Sequence, residues 1–256
     1  RNTGGHNHRI IHPVHPMNTT RPTPSKDEIA LLPEFPRLGL DRITLVNTGP
    51  QAREAVAALR DHAAWGFDTE SKPTFRVGEV SDGPHIVQLS TLQHAWVFQL
   101  LDDACRDLVA DLLAQAAHTK AGFGLGDDTS RIRSKLRVEP ASVLELNHLF
   151  RERGYRKDMG VKGAVAVLFG QRFIKSKKAA TSNWSNEKLT EAQLVYAAND
   201  AWAALRVFHA LQAPAATLPG THQQEGGAPG EPVAGQPRCD AHQHEHQRAD
   251  DGVAVL

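Results

Sequence analysis

The sequence predicts an α/β fold, a mixed sheet with helices packed on it, and three observations carry that expectation. Short apolar runs of strand length recur at Arg42–Asn47, Trp65–Thr69, His85–Ser90, Ala95–Gln99 and Thr119–Gly122. Longer segments with apolar residues three and four apart stand among and after them, which is helical spacing. The S-D-G-P stretch at 81–84 supplies turn chemistry between the second run and the third.

The elements follow in order. Pro50–His62 reads as a helix bearing Val56 and Leu59, after the first strand. Three strands then come in succession, ending at Gln99. Leu101–Ala117 is a helix rich in Leu, Ala and Asp, and Thr119–Gly122 is a short strand behind it. The remainder is helical: Thr129–Lys135, Ser142–Glu152, Val161–Phe169 and Thr190–Leu211. The last of these begins at Thr190 and Glu191, residue types favoured at a helix start, and carries Leu194, Ala198, Ala201, Trp202 and Leu205 at helical spacing.

The 256 residues exceed what this one domain needs. The first 36 are rich in His, Pro, Thr and Asn, with Pro13, Pro16, Pro22, Pro24, Pro33 and Pro36, and are expected to be a disordered tail. Met17 lies inside it, so the sixteen residues before Met17 read as upstream or vector-derived sequence. Residues 37–213 form the expected domain. Residues 214–256 turn to Pro, Gly, Gln and His and are expected to be a second disordered tail, because neither end can bury enough apolar surface to offset its ordering entropy. The His-rich tracts in both tails can bind transition metals adventitiously. Cys105 and Cys239 are too few and too far apart for a zinc site or a redox pair, which points to a reducing cytoplasm. No apolar run is long enough to span a membrane.

Chemistry enters with the acids. In Trp65-Gly66-Phe67-Asp68-Thr69-Glu70 an apolar strand ends in two carboxylates two residues apart, hence on one face, with Thr69 turned away. Like charges held that close call for a cation between them. Tyr196 and Asp200, four apart on the last helix, share a face one turn apart. An Asp on the inward side of a helix needs a metal or hydrogen bonds. Asp127 and Asp128 follow K-A-G-F-G-L-G, and only one of the two can face a site if they start a helix. Carboxylates are the hard oxygen ligands that Mg²⁺ and Mn²⁺ require.

Taken together, the segments around these acids resemble the DEDDy branch of the 3′–5′ exonucleases, most closely the exonuclease domain of the Werner-syndrome helicase and ribonuclease D-like proteins. The resemblance runs from about Ile43 to Leu211: D-T-E on a strand, K-A-G-F-G-L followed by acid, then S-N-W-S leading into Y-A-A-N-D-A-W-A. The related DEDDh branch would place a histidine five residues before the final Asp, where this chain has Val195.

The resemblance implies a ribonuclease H-like fold and a hydrolase that uses two Mg²⁺ or Mn²⁺ ions. Asp68, Glu70 and Asp200 would hold one ion, and Asp68 with Asp128 the second. It places the functional acid of the adjacent pair at Asp128, leaving Asp127 to favour the helix N-terminus. Tyr196 would orient the attacking water, since a phenol with a pKa of about 10 is a poor base at neutral pH. The implied products are nucleoside 5′-monophosphates cut from a 3′ end, with DNA favoured. The same chemistry on RNA, as in ribonuclease D-like processing, is the alternative; a catalytically silent nucleic-acid-binding module is a lesser one.

Charge distribution suits a polyanionic partner. Net charge is zero, yet residues 131–188 hold 14 Lys and Arg against 5 Asp and Glu, while residues 34–130 hold 8 against 14. Within the basic block, Arg172, Lys175, Lys177 and Lys178 crowd near Asn183 and Trp184, and this loop is the expected surface for the backbone of a single-stranded or 3′-ended nucleic acid. Trp184 reads more readily as a packing anchor than as a base platform. No helicase motif accompanies the domain, so coupling to unwinding or repair would need a separate partner.

Overall fold

In chain order, α1 (Lys26–Ala30) leads to β1 (Ile43–Val46), α2 (Gly49–Arg60), β2 (Ala64–Glu70), β3 (Ile86–Ser90) and β4 (Ala95–Gln99). There follow α3 (Asp103–Ala114), β5 (Thr119–Gly122), α4 (Gly126–Leu136), β6 (Val143–Glu145), α5 (Leu146–Glu152), α6 (Gly160–Phe169), α7 (Lys177–Ala180) and α8 (Glu191–Gln212). The computed structural model describes residues 20–74 and 82–213, all within one compact unit; the expected tails at 1–19 and 214–256 lie outside the described residues.

The six strands form one mixed sheet in the order β1-β4-β3-β2-β5-β6. The succession β2, β3, β4 is antiparallel, and the outer pairings β1–β4, β2–β5 and β5–β6 are parallel. Each face buries its own core. Trp65 and Phe67 of β2 and Val87 and Leu89 of β3 point to α2, α3 and α4, joining Val56, Leu59, Leu112 and Ile132. The opposite face carries α8, α6 and α5, with Trp184, Trp202, Phe150 and Leu168. Alternation along β2 therefore turns Gly66, Asp68 and Glu70 toward α8.

α8 begins with the capping box its sequence announces. Thr190 Oγ1 accepts from Gln193 N, and the Gln193 side chain accepts from Thr190 N at 3.0 Å. The helix can lie close over the sheet because its inner face is largely alanine, with Ala197, Ala198, Ala201, Ala203 and Ala204 buried.

Three expectations are corrected. The packed chain starts before residue 37: Ser25 caps α1 with its own capping box, and Phe35 is buried against Phe169, Phe173 and Trp202. Burying a phenylalanine contributes about 1.5–3 kcal/mol, enough to draw a proline-rich segment onto the domain. Asn199 then ties that segment to α8 by hydrogen bonds to both backbone groups of Leu38, at 2.7 and 3.1 Å. Second, the helix expected from Ser142 starts only at Leu146; Val143–Glu145 pairs with β5 as an edge strand, because a free ladder beside β5 outweighs local helical spacing. Third, Lys177–Ala180 forms a one-turn helix capped by Ser176 within the expected loop. Among the described residues, no helix is long and apolar enough to cross a membrane.

Candidate active site

The geometry of the site follows from one close approach. Gly66 faces α8, and a Cβ there would run into the carbonyl of Ala201 and the hydroxyl of Ser90. Its absence lets the helix settle on β2. Asp200, one residue before Ala201, thereby meets Asp68 and Glu70, which lie two and four residues beyond Gly66 on the same strand face. One carboxylate oxygen from each of Asp68, Glu70 and Asp200 falls within 4.8 Å of the others.

These acids are crowded and poorly solvated. Burial, then the charges of Asp200 and Asp128, pushes Asp68 well above the ordinary carboxylate range. Burial, then Asp68 and Asp200, pushes Glu70 up to about 9. Burial also raises Asp200, which is only 4% exposed, although Lys175 and the nearby Tyr196 hydroxyl oppose the rise. Lys175 is the cation among them, its Nζ 2.6 Å from Asp200 Oδ2 and 5.1 Å from the Tyr196 ring centre. Burial alone would depress the Lys175 ammonium, but Asp200, Tyr196 and Asp68 outweigh it and its pKa is raised. Tyr196 is raised by burial and by Asp200, so its phenol keeps its proton at neutral pH.

Asp128 stands just outside this trio. It lies in the first turn of α4, half-buried, and its Oδ1 accepts a hydrogen bond from Thr69 Oγ1, while Asp127 beside it is exposed. Burial raises its pKa. Thr69 does turn away from Asp68 and Glu70, and that direction is what lets it hold Asp128. Opposite Asp68 on β3, Gln88 is wholly buried on the same face, and neither atom of its amide is hydrogen-bonded.

The residues expected to track a nucleic-acid backbone are mostly spent elsewhere. Arg172 donates to Ala30 O at 2.7 Å and Glu34 Oε1 at 3.1 Å. Lys175 belongs to the acid cluster. Asn183 locks its own loop, accepting from Ser185 N at 3.0 Å and donating to Asn186 Oδ1 at 2.9 Å. Trp184 is fully buried, its ring centre 5.9 Å from that of Tyr196, and so cannot stack on a base. Lys177 and Lys178 are the exposed cations of the expected set. Lys175 and Thr69, the partners of Asp200 and Asp128, were not singled out for those roles because nothing local marks a pairing across 25 or 59 residues.

The donor set fits a divalent cation. It is all oxygen, it converges, and the single ammonium leaves the crowded carboxylates short of positive charge. Neither buried oxygen of Asp200 has a well-aligned hydrogen bond, despite the nearby ammonium.

Residues 43–214 match a family model described as 3′–5′ exonuclease. The bifunctional 3′–5′ exonuclease/ATP-dependent helicase WRN of Mus musculus is 29% identical over 155 residues, covering 60% of this chain and 11% of that protein. A 3′–5′ exonuclease of Arabidopsis thaliana is 24% identical over 149 residues, 57% of this chain and 52% of the relative. This chain therefore spans a tenth to a half of the length of these two relatives. Among solved structures, the Nibbler EXO domain of Aedes aegypti aligns with a TM-score of 0.60 at 21% identity, covering 69% of this chain and 90% of that one. The Trypanosoma brucei RNase D complex with RNA U12 gives 0.61 at 21% identity, with 75% and 66% covered. At such identities these two structures speak for the fold.

Proposed function

Since this chain belongs to the 3′–5′ exonuclease family, we propose that it hydrolyses phosphodiester bonds from the 3′ end of DNA and releases nucleoside 5′-monophosphates. The observation that carries the reading is the convergence of Asp68, Glu70 and Asp200 within 4.8 Å, with Tyr196 one helical turn before Asp200. Asp68, Glu70 and Asp200 would hold one Mg²⁺ or Mn²⁺ ion, and Asp68 with Asp128 a second. Such a pair supplies water activation and charge neutralisation of the attacking and leaving oxygens.

The chain's own groups have distinct tasks. Tyr196, protonated at neutral pH, is suited to orienting the attacking water by donating or accepting a hydrogen bond, not to removing its proton. Lys175 neutralises Asp200 and holds that carboxylate toward Asp68. Thr69 fixes the rotamer of Asp128. Phe123 and Val161 line the cavity that holds Asp68 and Asp200.

DNA is favoured by the likeness to the exonuclease of the mouse helicase protein. RNA is the second reading, favoured by the fold shared with RNase D, a protein solved in complex with RNA. The test compares 5′- and 3′-labelled single strands of DNA and RNA with Mg²⁺, Mn²⁺ or EDTA, using wild type and Asp68→Ala. Metal-dependent shortening from the 3′ end that the substitution abolishes supports the enzyme, and the DNA-to-RNA rate ratio chooses the substrate. Binding without cleavage under either metal sinks the enzymatic reading.

A further inference from the structure

We propose that Gln88 is a positioning residue for the acid cluster, its amide donating to the Asp68 carboxylate and thereby setting the affinity for divalent ions. This inference rests on the exonuclease reading and deepens it, by giving a task to a residue that carries no charge and binds no ion itself.

Strand register places the two side chains together. Asp68 of β2 and Gln88 of β3 are directly opposed in an antiparallel pair. Both lie on the sheet face that α8 covers, since Phe67, Val87 and Leu89 beside them take the other. Opposed residues hold their Cβ atoms about 4.5–5.5 Å apart, a gap that a glutamine amide and an aspartate carboxylate can close.

Little else on that face can take the amide. Gln88 is wholly buried, and neither Nε2 nor Oε1 is hydrogen-bonded. On its far side β4 presents Val97. Along β3 its neighbours on this face are Ile86 and Ser90, and the Ser90 hydroxyl is unbonded too, so the two do not satisfy each other. The inner face of α8 offers Ala197, Ala198 and Ala201. Glu70 is one step further along β2, opposite Ile86. A buried amide without a partner destabilises the folded protein, and a methionine of similar volume would avoid that cost. The amide makes sense where it meets a carboxylate.

Asp68 is also the acid with most need of a fixed orientation. Lys175 holds Asp200, and Thr69 holds Asp128 through its hydroxyl. Asp68 would touch both ions, and Thr69 N donates to its Oδ1 at 2.9 Å. A donor reaching Oδ2 from the sheet would fix the second oxygen. Carboxylates that ligate metals are themselves hydrogen-bonded, and loss of such a partner typically weakens metal binding by about 10–100-fold.

The experiment uses the full chain as wild type, Gln88→Met and Ser90→Ala. Isothermal titration calorimetry with Mn²⁺ alone measures ion affinity, and thermal melts in EDTA measure the metal-free fold. Gln88→Met is expected to melt in EDTA at or above wild type, because the unbonded amide is gone, and to bind Mn²⁺ about 10–100-fold more weakly. Its hydrolysis of an oligonucleotide should be lost at limiting Mn²⁺ and restored at saturating Mn²⁺, a recovery that a packing role would not give. Ser90→Ala removes an equally unbonded hydroxyl, opposite Gly66 instead of Asp68, and should bind Mn²⁺ like wild type. Equal Mn²⁺ affinity in Gln88→Met and wild type overturns the proposal. So does an EDTA Tm of Gln88→Met well below wild type, or an equal loss of affinity in Ser90→Ala. In each of these cases hydrolysis by the wild type leaves the exonuclease reading standing. A wild type that binds Mn²⁺ but hydrolyses no strand removes the exonuclease reading, while calorimetry still decides the task of Gln88. A wild type that binds no Mn²⁺ overturns both.

Discussion

Lys175 Nζ lies 2.6 Å from Asp200 Oδ2, so the carboxylate cluster of this protein already contains a cation from its own chain. The ammonium compensates part of the charge that a divalent ion would otherwise compensate alone. Lys175→Met should therefore lower the metal-free stability at pH 8, by about 1–3 kcal/mol given that the lysine side chain is 30% exposed. The same variant should gain more in Tm from added Mn²⁺ than wild type does. Thermal melts with Mn²⁺ and with EDTA check this; an equal or smaller gain would show that Lys175 does not compete with the ion.

The pH dependence of the metal-free protein follows from Glu70. Its folded pKa is raised to about 9, against an ordinary value of 4.5. The folded state therefore binds more protons than the unfolded chain between those values, and stability falls as pH rises through the interval. Melts in EDTA should show Tm declining from about pH 5 to about pH 9, and Glu70→Gln should flatten that decline. Divalent metal should also flatten it, because the ion replaces the proton. A Tm that climbs with pH in EDTA would contradict the crowded cluster.

Asp128 and Asp127 are separable by substitution. Asp128→Ala should lower activity by about 100-fold or more, and Asp127→Ala should stay within about twofold, since only Asp128 is held by Thr69 and weighs on Asp68. Thr69→Val keeps the shape and removes the donor; it should lower activity by about 10–100-fold, while Thr69→Ser retains it. Steady-state kinetics on a single-stranded oligonucleotide measure all four. Equal losses from the two aspartates would mean that the pair acts as a unit.

How much of this was legible in the sequence depends on the range of each interaction. Asp68 with Glu70, and Tyr196 with Asp200, were readable because strand and helix periods fix which residues share a face. The strand runs at 65–69, 85–90 and 95–99 were readable from composition and turn chemistry, and they became β2, β3 and β4. What escaped was set by tertiary contact. Phe35 is surrounded by prolines and shows no periodicity, so its burial against Trp202 follows only from the aromatic pocket that α6 and α8 create. Val143–Glu145 became a strand because β5 offered it a ladder. Lys175 looked like one more loop cation, and its ion pair depends on α8 lying close to the sheet.

That closeness can be tested at Gly66. A Cβ at this position would meet the backbone carbonyl of Ala201, which cannot rotate aside as a flexible side chain can. In an open strand position, alanine in place of glycine is stabilising by about 0.5–1 kcal/mol, because glycine loses more freedom on folding. Here the clash should reverse the sign, with overpacking costing about 1–3 kcal/mol or more as α8 lifts from β2. Activity should fall further than stability, since a displacement of about 1 Å between reacting groups can cost about 100-fold, and α8 carries Asp200 and Tyr196 away from Asp68 and Glu70. Gly66→Ala should thus melt several degrees below wild type and, assayed well below its Tm, turn over a single strand at about 1% of the wild-type rate or less. Normal melting with normal turnover would show that the glycine does not set the spacing of the site.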